Sequence, residues 1–206
     1  MEKYLQPGDR VDLTLFDNEA CTPLENFVVG RDDPKILTET IDLLKPRNGT
    51  NLGVGLEEGY RIATHHTEGT DRNHRVMLIT DALVNEGELD PNILAQVGKA
   101  FDENNIRLTG IGVGRQFSDV VLDKLTEAGK GPYLYLGSEA VVDRFFGDGF
   151  ESMVRTLAHD VRFSVDLPDS LAQERFYGEE SSTDESKVQP IDYQSGNTQL
   201  FLQDLL

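Results

Sequence analysis

Two positions in the sequence combine a hard oxygen donor with a place where an α/β fold exposes its ligand site. Asp81 directly follows the apolar run RVMLIT at 75–80, and Thr50 sits in the loop Gly49-Thr50-Asn51, just ahead of a helical stretch. In an open α/β sheet, ligands bind beyond the carboxyl ends of the parallel strands, so a carboxylate directly after a buried strand faces that region. A hydroxyl and a carboxylate, completed by water, are ligands for magnesium, calcium or manganese. Each residue also has a structural use, since Thr caps helix starts and Asp caps the segment after a strand.

Other residue groups point less clearly to chemistry. Gly53-x-Gly55 and Gly110-x-Gly112-x-Gly114 resemble pieces of phosphate-binding loops. The first falls in a helix start, and the second lacks both the full G-x-G-x-x-G spacing and the acidic residue expected about 20 positions on. His65 and His66 stand at a helix end, where positive charge complements the carbonyl dipole. Glu57 and Glu58 are sequence neighbours and point to different helix faces, so they are not a matched acid/base pair. Cys21 is the only cysteine, which excludes an intrachain disulfide and a Cys/His zinc cluster. No G-x-S-x-G nucleophile motif occurs. The chain is expected not to be an enzyme.

The elements that position Thr50 and Asp81 follow from periodicity. MEKYLQPG reads as the last turn of a helix closed by Pro7 and Gly8. Val11, Leu13 and Leu15 alternate with Asp12 and Thr14, which predicts a strand ending at the turn pair Asp17-Asn18; a second strand over 19–29 carries Pro23 and belongs at an edge. Helical spacing appears over 35–45 until Pro46, and again in Leu52, Leu56, Tyr60 and Ala63, with Thr50 or Asn51 as the cap. RVMLIT is a buried parallel strand, followed by the helical stripe Ile93, Leu94, Val97, Ala100 and Phe101. RLTGIGVG at 107–114, a helix around 121–128, PYLYLG at 132–137 and a helical stretch to about 160 complete the alternation. Such alternation predicts βαβ units, hence an α/β fold with a doubly wound, mainly parallel sheet. After residue 160 helical periodicity is lost. VRFSVDLP, ERFYGEE, KVQPIDY and NTQLFLQDLL read as strands, so 161–206 is expected to begin a β-rich second domain after a first domain over 1–160.

NGTNLGVGLEEGY followed by RVMLITDALVNEG resembles the middle of a von Willebrand factor A domain of bacterial type, and the likeness extends over 1–160. PGDRVDLTLFDN is similar to that family's second strand and LTGIGVG to its fifth. The resemblance implies a Rossmann-like sheet and a metal ion-dependent adhesion site built from three loops. Those loops carry an Asp-x-Ser-x-Ser motif after the first strand, a Thr in a later loop and an Asp after the fourth strand. Thr50 and Asp81 match the second and third elements, and Asn51 and Asn85 beside them are expected at the rim of a partner contact. Ala82 stands where bacterial members commonly carry Gly, and no Asp-x-Ser-x-Ser occurs in the chain. The expectation is therefore an N-terminally truncated domain without its first strand, with the strands at 11–16 and 75–80 left apart or paired in a way foreign to the family. The function implied is metal-dependent protein binding, as in adhesion or assembly. A divalent cation, magnesium ahead of calcium or manganese, leaves one position open to an acidic side chain of a partner protein, and its hold is weakened by the missing motif. The readings set against it are an α/β enzyme or nucleotide-binding domain, and a scaffold that has lost its metal.

Composition narrows the partners. The 206 residues carry 19 basic and 37 acidic side chains, a net charge of −18, which repels phosphate backbones and anionic headgroups. Nucleic acid and membrane surfaces are therefore poor candidate partners, and the expectation is no nucleic acid and no membrane insertion in this segment. No apolar run approaches the ~20 residues of a membrane span, and residues 1–20 lack a signal-peptide pattern. The segment is expected to be soluble, with the compartment open and a place in an exported or cell-envelope protein compatible with the resemblance. Its oligomeric state is not legible.

Overall fold

The alternation at 11–15 produces a hairpin. In the computed structural model, β1 (Arg10–Phe16) pairs antiparallel with β2 (Ala20–Val28), from Arg10↔Val28 to Phe16↔Ala20. The structure describes residues 4–47, 49–65, 72–81, 90–114, 122, 124–126, 129, 131–178, 181–196 and 198–206. Asp17 closes the hairpin as an Asx turn, its carboxylate accepting from the Glu19 N–H at 2.8 Å. β2 has β1 as its only strand partner among the described residues, which agrees with Pro23 inside it.

Two helices follow. In α1 (Pro34–Asp42), the Asp33 carboxylate accepts from the Lys35 N–H at 3.0 Å and Pro34 takes the first turn, where its missing donor costs nothing. In α2 (Leu52–His65), Leu52, Leu56 and Ile62 are buried at helical spacing. Asn51 caps it, its side-chain oxygen accepting from the Val54 N–H at 3.4 Å. α2 lies close on β1: a Cβ at Gly55 would stand 2.6 Å from Cγ of Phe16.

A parallel three-stranded sheet forms the centre, in the order β3 (His74–Thr80), β4 (Ile106–Val113), β5 (Tyr133–Leu136). Its registers run His74↔Ile106 to Thr80↔Gly112 and Gly110↔Tyr133 to Val113↔Leu136. α3 (Pro91–Glu103) connects β3 to β4, and Leu122 with residues 124–126 is helical between β4 and β5, so both connections are helical crossovers. β4 lies between two strands and is buried from Ile106 to Gly112. Leu52, Leu56, Leu78, Phe101, Ile106, Leu108, Leu122 and Leu125 form one core cluster, with Phe16, Tyr60 and Val76 packed against it. Each fully buried side chain of this size contributes roughly 1.5–3 kcal/mol over leaving it in water. Phe101 meets the Tyr60 ring edge to face, with centroids 4.6 Å apart.

After β5 come α4 (Glu139–Phe146) and α5 (Phe150–Val154). The helical stretch predicted to about 160 stops there, because Thr156–Val161 forms β6 and pairs antiparallel with β8 (Ile191–Gln194). Long-range strand pairing overrides the helix-forming side chains Leu157 and Ala158. β7 (Gln173–Phe176) pairs with β9 (Gln203–Leu205). The chain accordingly divides into two compact units, Met1–Glu151 and Ser152–Leu206. The division falls ahead of the boundary placed near 160 because β6 belongs with β8. Residues 162–168, expected as a strand, have no regular structure. Among the described residues of the second unit only the polar Asp192 and Gln194 are buried, while Leu157, Val165, Tyr177 and Leu202 are at least half exposed.

Candidate functional site

Both predicted metal-ligating residues lie at ends of elements that share the core. Leu52, two residues beyond Thr50, and Leu78, three residues before Asp81, belong to the same cluster, so α2 and β3 pack on one core. Thr50 is 9% exposed. Asp81 is exposed at the carboxyl end of β3, immediately after the buried Thr80.

The Thr50 loop is held by the hairpin turn. The Asn51 N–H donates to the Asp17 carbonyl at 2.8 Å. Gly49 has φ +91°, a region that side chains rarely adopt, and a Cβ there would lie 1.8 Å from Oδ1 of Asn18. Asp17 and Asn18 thus form part of the rim of the Thr50 loop. The sequence marked them only as a turn, because their role depends on a contact more than thirty positions away. The Asp17 carboxylate is held below its usual range by the Glu19 N–H and then by Arg47, whose guanidinium pairs with it at 2.5 Å. Arg47 also donates to Sγ of the exposed Cys21 at 3.1 Å.

The predicted rim residues have different standing. The side-chain oxygen of Asn51 is engaged in capping α2. Asn85 and Ala82 lie outside the described residues.

The donor set fits a hard dication in kind but not in number. Thr50 and Asp81 offer oxygen, as magnesium requires, yet among the described residues no group of three His, Cys, Asp or Glu side chains is placed to hold a metal. Two protein ligands with a single carboxylate do not make a complete centre for so strongly hydrated an ion.

The remaining candidates resolve into structure. Gly53 and Gly55 lie inside α2, and Gly110 and Gly112 inside β4, where a Cβ at Gly110 would meet Thr126 at 2.7 Å. Glu58 is a clamp: Arg61 holds it with two 2.7 Å bonds and Thr22 of β2 donates to it at 3.1 Å. These donors, Arg61 foremost, lower its carboxyl to about 2. His65 stands 3.5 Å from Arg61, and His66 is outside the described residues.

No family model matches the sequence. A protein of Escherichia coli K12, YfbK, is 27% identical over 166 residues, which are 80% of this chain and 28% of the relative. The chain thus spans little more than a quarter of that relative's length. Among solved structures, a von Willebrand factor type A protein from Catenulispora acidiphila matches 85% of this chain and 41% of its own, with TM-score 0.65 and 16% identity. BatB from Bacteroides thetaiotaomicron matches 74% of this chain and 82% of its own, with TM-score 0.56 and 16% identity. Proximal thread matrix protein 1 of the mussel byssus, solved with a zinc-occupied adhesion-site motif, matches 67% of this chain and 34% of its own, with TM-score 0.51 and 19% identity. Among the described residues no helix is long and apolar enough to cross a membrane. With its parallel β3-β4-β5 sheet, helical crossovers and β1-β2 hairpin, the chain has the von Willebrand factor A fold.

Proposed function

We propose that this chain is a metal ion-dependent protein-binding module, non-catalytic, whose cation site includes Thr50 and Asp81. The observation that carries the reading is the placement of a hydroxyl and a carboxylate at the ends of α2 and β3, two elements packed on one core, in a fold whose mussel relative holds zinc at its adhesion site. A bound dication, magnesium ahead of calcium or manganese, would supply an open coordination position for an acidic side chain of a partner protein.

The chain's own residues set up that contact. Thr50 is held by the Asn51–Asp17 backbone bond and by the cap of α2, and Asp81 by the end of β3. Asn51 and Asn85 are assigned to the rim. A net charge of −18 favours a partner that meets the metal rather than the bare surface, and disfavours nucleic acid. Use in adhesion or assembly, in an exported or cell-envelope protein, fits this chemistry.

Calorimetric titration with magnesium chloride tests the proposal. The parent chain is expected to bind weakly, and Thr50→Ala and Asp81→Ala to remove the binding while keeping the melting temperature measured in chelator. Equal magnesium affinity in all three, or stabilisation by a nucleotide without metal, would overturn it.

A further inference from the structure

The two faces of β1 have different surroundings. Phe16 packs on the core cluster that includes α2 residues, so its neighbour Leu15 faces the opposite side of the hairpin. There Leu15 and Pro23 meet the end of α1 and the residues after it, and together with Leu43, Leu44, Lys45 and Arg47 they line a cavity of about 360 Å³. That volume falls in the lower part of the range of ligand pockets, roughly 300–1,000 Å³.

The apolar part of this surface is left uncovered. An amphipathic helix normally hides its apolar stripe, and a helix as short as α1 draws its stability from such packing rather than from propensity. Yet α1 carries no buried residue. Ile36 lies one turn before Thr40, which also faces the cavity, and is 48% exposed; Leu43 at the cavity mouth is 75% exposed. Single exposed apolar residues are ordinary, but a group of them around a cavity marks a binding surface.

Charge distinguishes the cavity from the rest of the molecule. Acidic side chains outnumber basic ones by 37 to 19 in the chain, yet the described residues lining the cavity include Lys45 and Arg47 and no carboxylate. Arg47 is held by Asp17 and Cys21. Lys45 forms no ion pair among the described residues, so its charge can meet a ligand.

We propose that this cavity docks an acidic amphipathic segment of another protein, which seats a large apolar side chain between Leu15, Pro23 and Leu44 and places a carboxylate beside Lys45. A small amphiphile needs walls over most of its surface, and this cavity is open at Leu43. The uncovered apolar surface continues along α1 to Ile36, roughly 6 Å beyond Thr40, which suits a chain segment longer than the cavity. A second copy of the chain would bring together two molecules of net charge −18 and is disfavoured. The apolar anchor supplies most of the affinity, and the carboxylate selects among apolar segments. Neither Thr50 nor Asp81 lines the cavity, and docking there needs no cation.

The test selects peptides from a random dodecapeptide display library on the 206-residue chain in chelator, then measures each synthetic peptide by fluorescence anisotropy. Selected peptides are expected to carry a large apolar residue with Asp or Glu within about four positions of it. Leu43→Ser and Lys45→Glu each change an exposed side chain, so they are expected to keep the parent melting temperature within about 2 °C and to weaken binding about ten-fold or more, whereas Lys99→Glu on α3 leaves it unchanged. A peptide whose acid is replaced by Lys is expected to bind Lys45→Glu more tightly than it binds the parent chain, a reversal that loss of structure does not produce. Where Leu43→Ser fails to fold, that reversal at Lys45 decides alone. An empty selection, enriched peptides without the apolar and acidic pair, or affinities that neither substitution changes would overturn the proposal. So would dodecanoate binding or dimerisation that Leu43→Ser abolishes, in place of peptide binding.

Discussion

Replacing Gly49 by Ala probes the support of the candidate site at its most constrained point. Gly49 holds φ +91°, and a Cβ built on it lies 1.8 Å from Oδ1 and 2.9 Å from Cγ of Asn18. Two costs therefore add. Holding an L-residue in this left-handed region costs about 1–2 kcal/mol, and turning Asn18 out of the way costs about 0.5–1.5 kcal/mol more if it leaves its rotamer. The sum is roughly 1.5–3.5 kcal/mol, which for a chain of this length lowers the melting temperature by roughly 3–14 °C. The same strain pulls on the Asn51–Asp17 bond two residues later, so magnesium binding is expected to weaken in parallel. Scanning calorimetry of G49A, N18G and the double variant separates the terms. The double variant should recover the part due to Asn18 and keep the backbone part. A G49A melting temperature within about 1 °C of the parent would refute the reasoning, because neither the backbone nor the contact could then be as described.

Two further outcomes follow from the packing and the charges. Phe101→Ala empties a fully buried ring site against Tyr60 and is expected to cost about 3–5 kcal/mol in urea unfolding; a loss under 1 kcal/mol would contradict its place in the core. Glu58, lowered from 4.5 to about 2 by Arg61 and Thr22, stabilises the folded chain when ionised. Its contribution is complete above pH 4.5 and is lost as the pH falls through 2, so the melting difference between parent and Glu58→Gln should shrink over that window and stay flat above it. A difference that grows toward acid would show that the clamp is not what lowers the carboxyl.

Much of the fold is legible in the sequence because the central elements obey local rules. RVMLIT and RLTGIGVG are short, mainly apolar runs of strand length, and both become parallel strands, β4 buried as expected but β3 only in part, with Ile79 half exposed; Leu52, Leu56, Tyr60 and Ala63 define a helix face without reference to anything distant. Asp81 at a strand end and Asn51 at a helix start follow from the same local signals. What remained hidden depends on pairing across long separations. Residues 156–161 contain good helix formers and become a strand because β8, some thirty residues on, supplies the partner. Asp17 and Asn18 read as a turn, and only the folded chain brings them against Gly49 and Asn51. Nor does any periodicity reveal that β1 and β3, which both pack against α2, fall in separate sheets among the described residues. Strand order is a matter of tertiary contacts, since a strand's residues encode which faces are buried, not which edge is paired.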